Sequence, residues 1–182
     1  MKKLLIGVDL LNDFCHKAGV LAISPITEEL YAEPIITPVG TLVSDFRSGG
    51  DPIIWLCDAH AKDDKEFDRF PPHAIKNTWG AEIIAELLPV LANAFTNEIV
   101  IPKTRYSGFY GTDLEYQLML LAPEEITVVG VCTSICVMDT VGGLANRDQN
   151  IIVPANCVAD FDPQGNANAL QRMERLYGAK IV

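Results

Sequence analysis

Five short runs of aliphatic and β-branched residues recur along the chain: LLIGVDL (4–10), IIWLCDA (53–59), EIVIPK (98–103), ITVVGV (126–131) and NIIVPANCVA (150–159). They are apolar almost without interruption. A strand with one wet face alternates polar and apolar residues, so runs of this kind call for strands covered on both faces, as in a parallel sheet. AKIV (179–182) offers a sixth strand. Helical patterning falls between them, near 28–48, 80–88, 112–122, 134–147 and 165–177. Pro34 and Pro38 interrupt the first of these helices. Gly142-Gly143 weakens the fourth locally or admits a close neighbour. Strands alternating with helices imply right-handed crossovers and an open, doubly wound, mainly parallel α/β sheet of about six strands with helices on both faces. The 182 residues suit one domain, 1–182, and the 49% hydrophobic content can fill its core. The segment 59–79 has no clear period, and a polar loop of that length, rich in charge, Pro and His, is usually functional.

Charge narrows the partners. With 24 acidic and 14 basic residues the formal net charge is −10, which repels phosphate backbones and anionic lipid, so neither nucleic acid nor membrane is expected. Asp9, Asn12 and Asp13 cut the N-terminal apolar run before it reaches the length of a signal-peptide core. The five cysteines, Cys15, Cys57, Cys132, Cys136 and Cys157, form no clustered framework, which fits reduced thiols in a cytoplasmic protein.

Ligands of doubly wound sheets bind outside the carboxyl ends of the strands. There the topology collects Asp9 after the first strand, Asp58 and His60 after the second, Lys103 after the third, and Cys136 at the helix opening that follows the fourth. The first turn of a helix favours a thiolate and offers N–H donors to an oxyanion. Asp9 is placed to take the thiol proton and Lys103 to hold that carboxylate.

These segments resemble the isochorismatase-like cysteine hydrolases, and among them the bacterial nicotinamidases. The resemblance runs over nearly the whole chain. VDLLNDF (8–14), DAH (58–60) with FPPHAIKNTWGAEI (70–83), KTRYSGFYGTDL (103–114) and GVCTSICVMDT (130–140) stand in the family's order and spacing. Leu11 replaces a frequent Gln, and Ala74 with Asn77-Thr78-Trp79-Gly80 replaces the Cys and Gly-Thr-x-Gly that often follow the family's metal-binding histidine.

The resemblance implies Asp9, Lys103 and Cys136 as catalytic residues, a cis peptide at Val131–Cys132, and an oxyanion hole from the N–H groups of Cys132 and Cys136. It implies a divalent ion on Asp58, His60, His73 and a carboxylate as fourth ligand. Glu66, seven residues before His73, is chosen over Asp63, Asp64 and Asp68. Two imidazoles and two carboxylates suit Zn²⁺, with Fe²⁺ or Mn²⁺ as other choices. Phe14, Phe70 and Tyr106 match positions that stack on the substrate ring.

The implied activity is hydrolysis of a small carboxamide, nicotinamide to nicotinic acid and ammonia, through a cysteine thioester, with a role in NAD salvage and a homo-oligomeric state. The alternatives are a carbamoyl or ureido amidohydrolase on the same scaffold and a non-catalytic binding module. An isochorismatase proper cleaves a vinyl ether without a cysteine, and Cys136 argues against it.

Overall fold

The computed structural model describes residues 1–22, 33–88 and 97–182. Its strands are β1 (Lys3–Val8), β2 (Ile53–Asp58), β3 (Glu98–Lys103), β4 (Glu125–Val131), β5 (Ile151–Val153), β6 (Val158–Ala159) and β7 (Lys180–Ile181). The order across the sheet is β3-β2-β1-β4-β5-β7, and β6 also pairs with β4. Every pairing between these strands is parallel. The direction of winding reverses between β1 and β4, and this switch point opens the crevice in which such sheets bind ligands.

The helices are α1 (Asn12–Cys15), α2 (Glu33–Gly49), α3 (Leu114–Leu121), α4 (Met138–Ala145) and α5 (Pro163–Tyr177). Side chains alternate across each strand. Leu5, Ile53, Trp55, Val129 and Val131 therefore pack with Phe14 of α1 and with Ile35, Val39 and Val43 of α2. Leu4, Ile6, Val8, Ile54, Leu56 and Val128 pack on the opposite face with Leu114 and Leu118 of α3, Val141 and Leu144 of α4, and Met173 of α5. Each central strand is sealed on both sides, which explains its unbroken apolar sequence.

The structure departs from the sequence expectations in four places. The run 150–159 is not one strand: a tight turn at Ala155–Cys157 divides it, β5 pairing with Ile126–Thr127 and β6 with Gly130–Val131, which makes the sheet seven-stranded. The helix expected over 80–88 is instead two single 3₁₀ turns, Trp79–Ala81 and Ala85–Leu87. Pairing overrides propensity there: Ile83 bridges Leu11, Ile84 N–H donates to Leu10 O, and Leu88 precedes Pro89, which disfavours helix. The first helix, expected over 28–48, is described from Glu33, residues 28–32 lying outside the described residues. Pro34 falls in its first turn, where no N–H is needed, and Pro38 lies inside it without breaking it. The helix expected over 134–147 opens as a π-helical turn, Thr133–Val137, before α4 begins. Gly143 in α4 does admit a close neighbour, since a Cβ there would stand 2.4 Å from the Phe109 ring.

Gly130 fixes the junction that matters most. Its φ is +119°, and a Cβ would lie 2.0 Å from Val8 O. Only glycine lets β4 run this close to the end of β1.

Candidate active site

Asp9 follows β1 directly, with a positive φ of 50°, a conformation that asparagine and aspartate tolerate better than other side chains. Its carboxylate is fully engaged. Oδ1 accepts the Asp58 N–H at 2.9 Å, and Oδ2 lies 2.7 Å from Lys103 Nζ. Lys103, at the end of β3, also donates to Asp58 Oδ1 at 2.7 Å. One buried ammonium thus sits between two buried carboxylates. Burial alone would lower the Lys103 pKa, but Asp58 and Asp9 outweigh it and hold the ammonium well above its ordinary range. Burial pushes Asp58 up, yet Lys103 and His60 bring it below the ordinary carboxylate range. Asp9 goes the other way: burial and then the Asp58 charge raise it to about 6 against the pull of Lys103.

Cys136 lies in the π turn, where one Asp9 oxygen, one Asp58 oxygen and the Cys136 Sγ fall within 4.8 Å of one another. The Val131–Cys132 peptide is cis. The thiolate expected at a helix start is not the resting form. Burial pushes the Cys136 thiol well up, Asp9 and Asp58 push the same way, and only Lys103 opposes them. The group rests as a thiol beside a carboxylate poised to accept its proton. The other cysteines are also free thiols.

A second cluster adjoins the first. One ligand atom each of Asp58, His60 and His73 falls within 4.8 Å of the others. Both rings are held from behind. His60 Nδ1 donates to Asp64 Oδ2 at 3.1 Å, and His73 Nδ1 donates to Pro71 O at 2.7 Å. The imidazoles therefore turn their Nε2 lone pairs inward, His60 Nε2 being 3.6 Å from Asp58 Oδ2. Glu66 Oε1 lies 3.9 Å from His73 Nε2. His60 Nε2 and Glu66 Oε2 are buried with no hydrogen-bond partner among the described residues. Buried polar atoms without partners are rare. An imidazole nitrogen and a carboxylate oxygen facing one space, beside His73 and Asp58, form a donor set that fits a divalent cation.

Of the four acids weighed for the last ligand, Asp64 is occupied elsewhere. Arg105 Nη1 binds its Oδ1 at 3.0 Å. Burial pushes Asp64 up, but the Glu66 N–H, His60 and Arg105 outweigh it and hold the carboxyl at about 2. Asp63 and Asp68 are exposed, while Glu66 is buried.

Both clusters open on one cavity of about 250 Å³. Asp9, Asp58, Glu66, His73, Cys132 and Cys136 line it, and Phe14, Phe70, Tyr106, Ile135 and Phe161 wall it. His60 and Lys103 stand behind that lining, fully buried. All sequence-predicted site residues thus meet at the crevice between β1 and β4. No Lys or Arg is among the described residues that line it.

The isochorismatase-domain profile matches residues 3–182. The chain belongs to the isochorismatase family. Nicotinamidase PncA from Bacillus subtilis superposes with a TM-score of 0.91 at 35% identity, covering 100% of this chain and 99% of that one. N-carbamoylsarcosine amidase from Thermoplasma acidophilum gives 0.85 at 32%, over 100% and 95%. Pyrazinamidase of Pyrococcus horikoshii, solved in complex with zinc, gives 0.87 at 26%, over 100% and 99%.

Three features escaped the sequence. One is the support of His60 by Asp64, itself held by Arg105, since the sequence offered Asp64 only as a possible ligand. Asp160, fully buried after β6, accepts the Ser134 N–H at 2.6 Å at the start of the π turn. Ile135 and Phe161 complete the apolar wall. No helix among the described residues is long and apolar enough to cross a membrane.

Proposed function

We propose that this isochorismatase-family hydrolase is a cysteine amidohydrolase that converts nicotinamide to nicotinic acid and ammonia. One observation carries the reading: a thiol, a carboxylate and a buried ammonium meet beside a cavity walled by aromatic side chains. A flat, neutral carboxamide suits such a slot. A carbamoyl or ureido acid brings a carboxylate of its own, and no Lys or Arg among the described lining residues pairs with it. The similarity to a nicotinamidase and to a zinc-bound pyrazinamidase points the same way.

In this reading Phe14, Phe70 and Tyr106 hold the ring, and Asp9 takes the Cys136 proton as sulfur attacks the carboxamide carbon. The N–H groups of Cys132 and Cys136 stabilise the oxyanion. As the C–N bond breaks, Asp9 returns the proton and ammonia leaves. A water then gives its proton to Asp9 and attacks the thioester. The C–S bond breaks, nicotinic acid is released and the thiol is restored. Lys103 keeps Asp9 ionised between these transfers. Asp58, His60, Glu66 and His73 would hold a divalent ion, zinc by donor type, which supplies Lewis-acid polarisation and a fixed positive charge beside the substrate.

The test is ammonia release from nicotinamide, pyrazinamide, carbamoyl and ureido substrates, with metal analysis of the same preparation. Preference for the two ring amides supports the reading. Turnover of only carbamoyl or ureido substrates overturns it.

A further inference from the structure

We propose that Asp13 is a positioning residue that latches the two walls of the cavity together, joining loop 16–22 to the segment that carries His73. The inference rests on the reading of this cavity as the amide site.

Asp13 belongs to α1, next to Phe14 in sequence, and is buried. Its carboxylate divides its two oxygens between two separate pieces of chain. Oδ1 accepts the Val20 N–H at 3.2 Å, and Oδ2 accepts the Ala74 N–H at 2.8 Å. Its own carbonyl takes the Leu21 N–H at 2.9 Å. Val20, Leu21 and Ala22 line the cavity, and so does His73, next to Ala74. Ala74 is fully buried with a positive φ of 41°, and its carbonyl accepts the His60 N–H at 3.0 Å. The peptide between the two histidines' neighbours is therefore clamped from both ends.

A third segment closes over the latch. Asn12 Nδ2 donates to Trp79 O at 2.8 Å, and Asn12 N–H donates to Glu82 O at 2.9 Å, which draws residues 79–82 across α1. Gly80 lies so close that a Cβ there would stand 2.0 Å from Asp13 Oδ2.

The geometry requires a carboxylate. Two N–H donors need two acceptors, and an amide of the same shape supplies one acceptor and one donor. Asp13→Asn therefore turns an NH₂ donor against one of the two N–H groups and takes the charge from the bond to the other, so that both joints weaken while the side chain keeps its shape. Gly80→Ala attacks the same carboxylate from the opposite side, by displacement.

Hydrogen exchange followed by mass spectrometry, with steady-state kinetics in excess zinc, tests the latch. In both variants, amides around Val20 and around Ala74 should exchange at least about tenfold faster, the effect of losing one charge-assisted hydrogen bond. Amides of β1 and β4 should not change. KM for nicotinamide should rise roughly tenfold while kcat falls much less, since the walls position the ring and not the reacting bond. A merely structural residue would lower thermal stability without separating KM from kcat.

Unchanged exchange at both loops in Asp13→Asn overturns the proposal, as does faster exchange at only one of them. Should Gly80→Ala not fold, the isosteric Asp13→Asn decides alone. If both loops open but the wild-type protein hydrolyses no ring amide, the latch stands and the assigned substrate falls.

Discussion

The Lys103 ammonium donates to Asp58 at 2.7 Å, so the carboxylate that heads the histidine cluster is bonded to the same charge that steadies Asp9. Neither cluster can change charge without the other responding. Lys103→Met keeps the stem's shape but leaves two buried carboxylates facing each other. It should cost roughly 3–5 kcal/mol of stability, read as a lower urea midpoint, because an uncompensated buried charge is expensive. Ammonia release should fall at least about a hundredfold, and Lys103→Arg should not restore it, since a planar fork does not fit the space of a point charge.

Cys136→Ala should abolish turnover, whereas alanine at Cys15, Cys57 or Cys157 should leave most of it. Those three thiols are buried and do not line the cavity. Rapid acid quench of the wild-type enzyme during turnover should yield, by mass spectrometry, an acyl adduct on the peptide that contains Cys136. Substantial activity in Cys136→Ala would remove the thioester from the mechanism.

Protein purified without chelator should contain about one divalent ion per chain. Chelation should lower the melting temperature, and added zinc should restore it in proportion to RT ln(1 + [L]/Kd). His60→Ala and His73→Ala should abolish this recovery. Asp64→Asn should weaken zinc binding about 10- to 100-fold in a competition with a chromophoric chelator, because Asp64 sets the orientation and tautomer of His60 without itself reaching the ion. Equal affinity in Asp64→Asn and wild type would show that His60 is held by other contacts.

Asp160→Ala should destabilise the fold by about 2 kcal/mol and lower kcat. The carboxylate accepts backbone N–H groups from Ser134 and from Asp162, and such part-buried donors fall at the low end of the about 1–3 kcal/mol that an unpaired donor costs. The Ser134 bond holds the entry to the turn that carries Cys136, so kcat should drop more than KM rises. A stability loss with unchanged kcat would confine Asp160 to a structural part.

Much of the site was legible because its chemistry is tied to strand ends. Asp9, Asp58 and Lys103 each follow or close a strongly apolar run, and such runs mark their own boundaries. Glu66 was chosen on the spacing of the family that the chain resembles; of its neighbours, Asp64 is bound by His60 and Arg105, and Asp63 and Asp68 face water. What the sequence hid depends on contacts between distant segments. Residues 80–88 carry a helical pattern, yet pairing with Leu10 and Leu11 holds them extended between two single turns. The division of 150–159 into β5 and β6 follows from both pieces reaching the same strand, β4, at different heights. A thiolate was expected at Cys136 from its local position alone, but burial, and then the carboxylates of Asp9 and Asp58 from distant segments, push the thiol the other way.

The register of β1 on β4, Lys3 opposite Glu125 through Val8 opposite Gly130, bears on how the chain is made. On the ribosome β1 emerges first, and its second edge stays open until the residues of β4 have followed. At ordinary elongation rates that wait lasts on the order of ten seconds, with a strand apolar from Leu4 to Val8 offering unpaired N–H and C=O groups to any other nascent chain. Crowded, fast synthesis should therefore drive this protein into inclusion bodies, and cooler, slower expression or a co-expressed holdase should keep it in the supernatant.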